Sequence, residues 1–334
     1  MRTFDLGVRR AGLAACASLS LAMAVWGAAN MDIQLVPVSL KNTADINRVQ
    51  LIDGDIVQLA ASTSEGELSL VNLSTGSEAV HPLPLFPGAA WDARLAPGGV
   101  AAVYTFAGSA FCAIMSKSTA QPKAIPVNPD GFAIYLNPHY VKGAAGDVPI
   151  TAIRVGSSDT EVKWLLQDPK THLTSTRTIG RPALAIPDAR LQQDEKGYWL
   201  FTLAYAAAGD KAAPRSIQGA KVRPTVLFAE RLDAGLVDQG HPVAVFADLP
   251  VYEFDAAPAA GGEVAIFATT PLGAIFFRGA LRAAPLPPDA WKQFRFAAPL
   301  SSPSILVHNG TAYLAAIQSQ GEPAERILQG RINP

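Results

Sequence analysis

The chain has 334 residues, of which 27 are Lys or Arg and 28 are Asp or Glu, and 49% of its residues are hydrophobic. Charges of both signs are scattered without a basic stripe of the kind that nucleic-acid-binding domains carry, so we expect no nucleic-acid partner. The length is sufficient for one large domain, or for two ordinary ones, with a sizeable core.

The first residues have the pattern of a secretory signal peptide. Arg2, Arg9 and Arg10 form a basic start, an apolar run covers residues 11–29, and the small residues at its end predict cleavage after Ala29. We therefore expect residues 1–29 to be a signal peptide and residues 30–334 to form a single exported domain, periplasmic or secreted. No later run is long and apolar enough to predict a membrane span.

Other interpretations of this first segment stay open. The sequence "LAAC" at 13–16 matches a lipoprotein box with Cys16 as the lipid carrier, but the apolar run before it is too short. Arg9 and Arg10 are compatible with a twin-arginine export signal, although the residues around them match that signal poorly. A retained membrane anchor would take an apolar run of about 20 residues, and this run is short for that role.

Short runs rich in Val, Ile, Leu, Phe and Tyr, bounded by Pro and Gly, fill the rest of the chain. Each has the length of a β-strand, and helical periodicity over ten or more residues is hard to find. We therefore predict an all-β fold. Each of six such runs directly follows a turn glycine, which allows the chain a positive φ. These glycines are Gly54, Gly99, Gly146, Gly197, Gly262 and Gly310.

Another strand-like run precedes each of these glycines, so a hairpin recurs along the chain. Successive glycines stand about 45 to 51 residues apart, except for one interval of 65, and a four-stranded propeller blade takes about 40 to 50 residues. The spacing predicts a β-propeller with six four-stranded blades, with five or seven blades as alternatives. The last repeat lacks a fourth strand, and residues 32–40 have the missing pattern. We therefore expect the N-terminal strand to complete the last blade and close the ring.

Two parts of this repeat pattern leave a choice. In the third repeat, residues 130–136 are an alternative for the strand that follows the turn, which would place residues 157–164 at the turn between the third and fourth strands. The long interval contains residues 206–224, which we interpret as a long loop inside one blade. This loop is either a lid or partner-binding arm, or a solvated loop without such a role.

A turn motif in the third repeat bears on the fold. Ser157, Asp159 and Trp164 stand at the spacing of Ser-x-Asp-x-Gly-x-Thr-Trp, although other residues occupy the Gly and Thr positions. A second partial copy has Asp233 and Gly235 at the Asp and Gly positions. In such a turn the Asp carboxylate accepts backbone N–H bonds, the Gly takes a positive φ, and the Trp packs against the blade.

With these residues and its repeat pattern over residues 32–334, the chain resembles the Asp-box, or sialidase-like, six-bladed β-propellers. In that family the box is a structural turn away from the active site, so the resemblance implies an architecture and not a reaction. The family's enzymes hold the substrate carboxylate with three arginines, the first in an Arg-Ile-Pro type motif, and use a Tyr nucleophile with a Glu partner and an Asp acid/base. Residues 33–51 lack that motif, so the resemblance assigns no catalytic residue here.

Sequence motifs for metal or cofactor chemistry are absent. The chain has no HExxH, no CxxC pair, no G-x-S-x-G elbow and no phosphate-binding glycine loop. Its five histidines are dispersed, and we expect them in turns or at a rim, because most adjoin Pro or a turn residue. We therefore expect no metal site and no cofactor.

Position in the propeller selects the candidate site residues. The innermost strands of a propeller line its central channel, and ligands bind at the channel mouth. Residues two apart on one strand share a face, so Asp92 with Arg94 and Asp188 with Arg190 each form either part of a polar mouth or an ion pair inside a blade. The candidate catalytic carboxylates are Asp92, Asp188, Glu253 and Asp255, and the candidate ligand-binding residues are Arg48, Arg94, Tyr140, Arg190 and Tyr252.

These residues favour a binding module as the first functional hypothesis. Its arginines would bind carboxylate or sulfate groups of a polar, glycan-like ligand, and an envelope protein at the rim is the alternative partner. The second hypothesis is a propeller-type glycoside hydrolase, in which two of the four carboxylates flank the glycosidic bond. The third is a metal-dependent lactonase with Asn47, Asn137 and Asp188 as candidate ligands.

Overall fold

Antiparallel hairpins of the predicted kind make up nearly all of the computed structural model. The described residues belong to one compact unit, Met31–Pro334, and residues 1–30, which include the predicted signal peptide, lie outside them. No helix in the described part of the chain has the length and apolar character to cross a lipid bilayer. The structure describes residues 36–38, 40, 46–63, 67–82, 90–96, 99–106, 109–116, 124–127, 134–144, 148–156, 160–168, 170–181, 188–205, 215–217, 220–222, 225–246, 249–271, 273–282, 285–296, 298–319 and 326–333.

Six antiparallel four-stranded sheets form a ring in these described residues, which is the architecture of a six-bladed β-propeller. Strand β1 (Val36–Pro37) belongs to the last blade, and the chain then enters blade 1. Blade 1 contains β2 (Ile46–Ile52), β3 (Gln58–Thr63), β4 (Glu67–Asn72) and β5 (Glu78–Pro82). Blade 2 contains β6 (Trp91–Ala96), β7 (Gly99–Phe106), β8 (Ser109–Ser116) and β9 (Ala124–Pro126). Blade 3 contains β10 (Ile134–Tyr140), β11 (Ile150–Val155), β12 (Thr160–Gln167) and β13 (Thr174–Gly180).

The second half of the chain repeats this order with one insertion. Blade 4 contains β14 (Asp188–Asp194), β15 (Gly197–Tyr205), the inserted hairpin of β16 (Arg215–Ile217) and β17 (Ala220–Val222), then β18 (Thr225–Leu232) and β19 (Val243–Ala244). Blade 5 contains β20 (Glu253–Pro258), β21 (Val264–Thr270), β22 (Gly273–Gly279) and β23 (Lys292–Phe294). Blade 6 contains β24 (Leu300–His308), β25 (Thr311–Gln318) and β26 (Ile327–Ile332), with β1 at its outer edge. The predicted long loop at 206–224 is thus an insertion inside blade 4.

The ring closes as the sequence predicts. Strand β1 pairs antiparallel with β26, with Val36 opposite Gln329, and the N–H of Val38 donates to the Ile327 carbonyl at 2.9 Å. The N-terminal strand therefore supplies the outermost strand of blade 6. This pairing covers the edge that blade 6 would otherwise expose, because an unpaired strand presents a row of free N–H and C=O groups.

The strand order of blade 3 decides between the two strand assignments that the sequence allows for the third repeat. The strand after Gly146 is β11, the second strand of the blade, so the alternative register is wrong. The turn with the Ser-x-Asp pattern therefore joins the second and third strands, not the third and fourth. Ser157 and Asp159 lie outside the described residues, whereas Trp164 lies in β12 and packs, half-buried, against the core between blades 3 and 4.

The hydrophobic core lies between neighbouring blades. Six apolar clusters occupy the six junctions in the described residues, and each combines buried side chains from the facing sheets. Trp91 is 1% exposed within the cluster between blades 1 and 2, and its indole N–H donates to Ser62 Oγ at 2.8 Å. Between blades 4 and 5 the rings of Phe201 and Phe254 pack 6.3 Å apart. Burying each such side chain contributes about 1.5–3 kcal/mol, so packing between blades supplies much of the stability.

Two of the turn glycines differ in backbone conformation and in their surroundings. Gly197, at the turn between β14 and β15, has a φ of 134°, which agrees with the predicted positive φ. Gly54 lacks a positive φ, and there the prediction is wrong. A Cβ at Gly54 would lie 2.3 Å from Leu95 Cδ1 of the next blade, so a larger residue there would require the Leu95 side chain to shift.

One type of turn recurs between the third and fourth strands of blades 1, 3 and 4. Each turn begins with an Asn or Asp whose side-chain oxygen accepts two backbone N–H bonds from the turn itself. Repetition of this turn at the same blade position shows that it is part of the repeat unit. The first residues are Asn72, Asp168 and Asp233, and the residues with positive φ are Gly76, His172 and Leu236.

Asp233 has the turn role that the second partial motif predicts. Its Oδ1 accepts N–H bonds from Gly235 at 2.8 Å and from Val237 at 2.9 Å. The positive φ falls on Leu236, at 61°, and not on Gly235, so that detail of the prediction is wrong. Leu236 packs against the core between blades 3 and 4, and the turn is therefore held by both hydrogen bonds and packing.

Candidate functional site

A ring of polar side chains lies on the innermost strands, one from each blade in the described residues. All are buried except Asp188, whose side chain is 20% exposed. The members occupy equivalent places in the six strands, and we call them the polar ring. In order from blade 1 to blade 6, they are Gln50, Asp92, His139, Asp188, Asp255 and Ser304.

The polar ring joins each blade to the next one. At four junctions among the described residues, a ring side chain accepts a hydrogen bond from the backbone N–H that follows the next ring member. This repeated bond satisfies a buried backbone donor, which is costly to leave unpaired. The pairs are Gln50 with Ala93 at 2.9 Å, Asp92 with Tyr140 at 2.7 Å, Asp255 with Ile305 at 2.8 Å and Ser304 with Leu51 at 2.9 Å.

Ion pairs extend the ring across blades 3, 4 and 5. Asp255 is 1% exposed, and its carboxylate contacts Lys142 Nζ at 2.6 Å and Arg190 Nη1 at 2.9 Å. Burial alone would raise the pKa of Asp255, but the charges of Lys142 and Arg190 outweigh it and hold the pKa at about 2. Asp255 therefore stays ionised as a structural link between blades.

A cavity of about 330 Å³ lies between the innermost strands of blades 1, 3, 4, 5 and 6. It is at the end of the channel where these strands begin. Five of the predicted site residues line this cavity, together with polar residues from blades 3 and 6. The predicted members are Arg48, Asp188, Arg190, Tyr252 and Glu253, and the additional polar ones include Asn137, Ser301 and Ser302.

Arg48 places a positive charge in the cavity wall, where the charges of Asp188 and Glu253 act on it without a close ion pair in the described part of the chain. Among the described residues, its guanidinium makes no ion pair, and its Cζ lies 5.9 Å from the ring centre of Trp91. Burial and the nearby Arg190 charge lower the pKa of Arg48. The guanidinium nevertheless stays protonated at neutral pH, so an anionic group entering the cavity would gain a favourable partner.

The two cavity carboxylates have opposite pKa shifts. Burial opposes ionisation of Asp188, but the His139 ring and the Arg190 charge lower its pKa below the usual value. Glu253 is solvent-accessible at the mouth, yet partial loss of hydration between the channel walls raises its pKa, and the Asp188 charge adds to this rise. The site therefore combines a carboxylate that stays ionised with one that takes up a proton more readily.

The remaining predicted residues lie elsewhere in the channel wall. Asp92 and Asp255 are occupied in bonds between blades and do not line the cavity. Arg94 donates to the Leu95 carbonyl at 3.3 Å and stacks over the buried ring of Tyr140, with its Cζ 5.1 Å from the ring centre. These residues therefore hold the blades together and do not face the pocket.

The donors predicted for a lactonase metal site are only partly placed. Asn137 and Asp188 line the cavity, and the side chain of Asn47 lies outside the described residues. In the described part of the chain, no group of three or more His, Cys, Asp or Glu side chains is placed to hold a metal ion.

Several residues of this region are not predicted from the sequence, among them Gln50, Ser301 and Ser302. The sequence predicts His139 in a turn or at a rim, and the structure corrects this: it is 2% exposed and lies within β10. Lys142 and Ser304 are not among the predicted residues at all. A usable signal was a polar residue inside each apolar inner strand, repeated with nearly the same interval as the turn glycines.

The fold and the cavity together define a six-bladed β-propeller with a polar pocket at one end of its channel. No protein-family model matches the chain, and no curated protein matches its sequence. The chain is similar in structure to a luciferin-regenerating enzyme, with a TM-score of 0.55 and 9% identity over 90% of this chain and 95% of that chain.

Two further solved structures show the same similarity. One is the polysaccharide lyase Uly1, with a TM-score of 0.52 and 9% identity over 91% of this chain and 94% of that chain. The other is a mutant of Trypanosoma rangeli sialidase displaying trans-sialidase activity, with a TM-score of 0.54 and 8% identity over 89% of this chain and 56% of that chain. At these identities the similarity shows the propeller fold, which is shared by proteins of several activities.

Proposed function

We propose that the chain is an exported binding protein for a small, acidic, glycan-like ligand, held in the channel cavity. The observation that carries this proposal is the Arg48 guanidinium, which faces a cavity of about 330 Å³ without an ion-pair partner among the described residues. A guanidinium in such a place favours a ligand carboxylate, which it binds through two parallel hydrogen bonds.

The rest of the cavity wall suits the hydroxyl groups of a sugar. Asp188 and Glu253 supply oxygen acceptors, while Asn137 and Ser302 are polar groups of the facing strands. A cavity of this volume accommodates about one sugar ring, since small-molecule sites start at about 300 Å³. The alternative partner, an envelope protein bound at the rim, has no comparable feature in its support.

Replacing Arg48 by methionine is expected to weaken the binding of D-glucuronate ten- to a hundredfold. This loss corresponds to about 1.4–2.8 kcal/mol, the range for a hydrogen-bonded charge pair. Isothermal titration calorimetry measures it, with D-glucose as the neutral probe. The matched control is Arg94→Met, which removes a channel arginine that stacks on Tyr140 and does not line the cavity.

The control arginine separates ligand contact from general damage to the channel. We expect the Arg94→Met protein to bind D-glucuronate within about threefold of the wild type. Equal losses in both variants, or a wild-type protein that binds none of D-glucuronate, D-galacturonate and N-acetylneuraminate, would contradict the proposal.

A second candidate function is hydrolysis of a glycosidic bond, and the opposite pKa shifts of Asp188 and Glu253 favour it. Glu253 would donate a proton to the leaving oxygen while the bond from that oxygen to the anomeric carbon breaks. Asp188 would accept a proton from the water that attacks the same carbon. Both carboxylates line one cavity, and this reaction needs two carboxylates at one site.

Glu253→Gln tests this second function separately from binding. Hydrolysis of methyl β-D-glucuronide is expected to fall about a hundredfold or more, because its leaving alkoxide needs a proton and a general acid contributes roughly 10²–10⁴ to the rate. D-glucuronate affinity is expected to persist, since the amide keeps a hydrogen-bonding group at this position. Absence of hydrolysis by the wild type would exclude this activity on that substrate and leave the binding proposal unaffected.

A further inference from the structure

His139 connects two carboxylates at the junction of blades 2, 3 and 4. Its Nε2 lies 2.8 Å from Asp188 Oδ1, and its Nδ1 lies 3.6 Å from Asp92 Oδ2. Because a carboxylate accepts hydrogen bonds, Nε2 carries a proton and donates a hydrogen bond to Asp188. Nδ1 has no hydrogen-bond partner among the described residues. Among the described residues, the hydrogen bond of the His139 side chain is therefore the one to Asp188.

Asp188 is the acidic member of the polar ring that lines the cavity. Its Oδ1 accepts both the His139 bond and the backbone N–H of Ala189, at 2.9 Å. Its Oδ2 lies 3.4 Å from Arg190 Nη2, at the long limit of a hydrogen bond. The carboxylate is thus held mainly through Oδ1, and Oδ2 retains the capacity to accept a bond from a ligand.

The charges around His139 explain why a donor is needed there. Asp92 on β6 and Asp188 on β14 face the imidazole from opposite sides, and Arg190, Lys142 and Asp255 complete the buried network. Without the imidazole, the two carboxylates would face each other across the junction, and their like charges would repel. His139 separates them and gives the cavity carboxylate a fixed partner.

We propose that His139 is a positioning residue for the cavity, holding Asp188 in the orientation in which Oδ2 accepts a ligand hydroxyl. This inference rests on the proposed binding function. The imidazole does not line the cavity, so its effect on binding passes through Asp188. Supporting residues of this kind fix the geometry of a site, and their loss weakens binding without removing a direct contact.

Two substitutions at His139 test the proposal. His139→Leu removes the N–H donor, and we expect D-glucuronate affinity of the folded protein to fall at least tenfold. His139→Gln carries an amide N–H that reaches Asp188, and we expect affinity within threefold of the wild type. In an Asp188→Asn background, His139→Leu is expected to add no further loss, because both changes act on one carboxylate. Thermal unfolding of each variant, measured in parallel, reports its stability.

Two results would contradict the positioning role of His139. If His139→Leu lowers stability and leaves affinity unchanged, or if its effect adds fully to that of Asp188→Asn, His139 has only a structural role. Should His139→Leu not fold, His139→Asn replaces it, because its shorter amide does not reach Asp188.

A measurement without ligand separates this proposal from the binding function. In ¹⁵N-labelled protein, the His139 Nε2–H proton is expected downfield, as in a hydrogen bond to a carboxylate, and Asp188→Asn is expected to shift it upfield. A wild type that fails to bind the acidic sugars contradicts the binding function alone. A His139 signal that Asp188→Asn leaves unchanged contradicts the positioning role, whatever the ligand result.

Discussion

Asp255→Asn is expected to lower the free energy of unfolding by about 3–5 kcal/mol, since removing one partner leaves a buried charge unpaired. Two cations, Lys142 and Arg190, lose their common carboxylate, and the Ile305 N–H keeps only a neutral acceptor. Equilibrium unfolding in urea measures the change. The effect is large because Asp255 is 1% exposed and joins its own blade 5 to blades 3, 4 and 6.

Asp53, an exposed carboxylate that also joins two blades, provides the control for Asp255. Asp53 pairs with His308 at 2.8 Å, with a side chain that is 59% exposed. Asp53→Asn is expected to change stability by at most about 1 kcal/mol, because water screens such pairs. Equal losses in the two variants would refute the structural role of Asp255.

The pH dependence of stability gives a second test of the same carboxylate. The folded protein holds the pKa of Asp255 at about 2, below the ordinary value of 3.8 in the unfolded chain. Its contribution is therefore fully present above about pH 4 and is lost as the pH falls toward 2. The stability difference between wild type and Asp255→Asn should shrink over this interval, and a constant difference would contradict the assigned shift.

Gly197→Ala is expected to destabilise the protein by about 3 kcal/mol, through backbone strain and a clash. The residue has a φ of 134°, and a Cβ there would lie 2.5 Å from the Leu232 carbonyl oxygen. Urea unfolding provides the measurement, and Gly261→Ala is the matched control. Gly261 also has a positive φ, of 73°, but nothing lies within 4 Å of the position that an alanine Cβ would take there.

The control variant measures the cost of a Cβ at a positive φ where no atom lies close to it. Gly261→Ala is expected to cost about 1 kcal/mol, because a residue with a Cβ is strained in the left-handed conformation. A loss at Gly197 no greater than that at Gly261 would show that the close approach to Leu232 is relieved by a small backbone shift.

Much of the architecture could be predicted because it depends on local patterns. Short apolar runs between turn residues define strands, and a turn glycine such as Gly197 marks the hairpin of each repeat. The spacing of these hairpins predicts six blades, and the incomplete last repeat predicts closure by the N-terminal strand, which Val36 opposite Gln329 confirms. The strands of the third repeat are harder to assign, because the runs before and after Gly146 both have the character of a strand.

The candidate site could be predicted only in part. Strand alternation indicates which side chains face inward, and the residues Arg48, Asp188 and Glu253 that it selects do line one cavity. The same argument selects Asp92 and Asp255, which are bound to neighbouring blades. Alternation cannot separate these cases, because an inward side chain reaches either the open channel or the backbone of the next blade, depending on how deep it lies.

The periodicity of the chain thus determines the order of strands and the number of blades, since each repeat folds through contacts with its neighbours in sequence. The polar ring and the cavity depend on residues that are about 40 to 250 positions apart in the chain, such as His139 with Asp188, Lys142 with Asp255 and Leu51 with Ser304. These pairs form only when the blades close into a ring. Burial then fixes their charges and hydrogen bonds, because a carboxylate removed from water is stable only with partners.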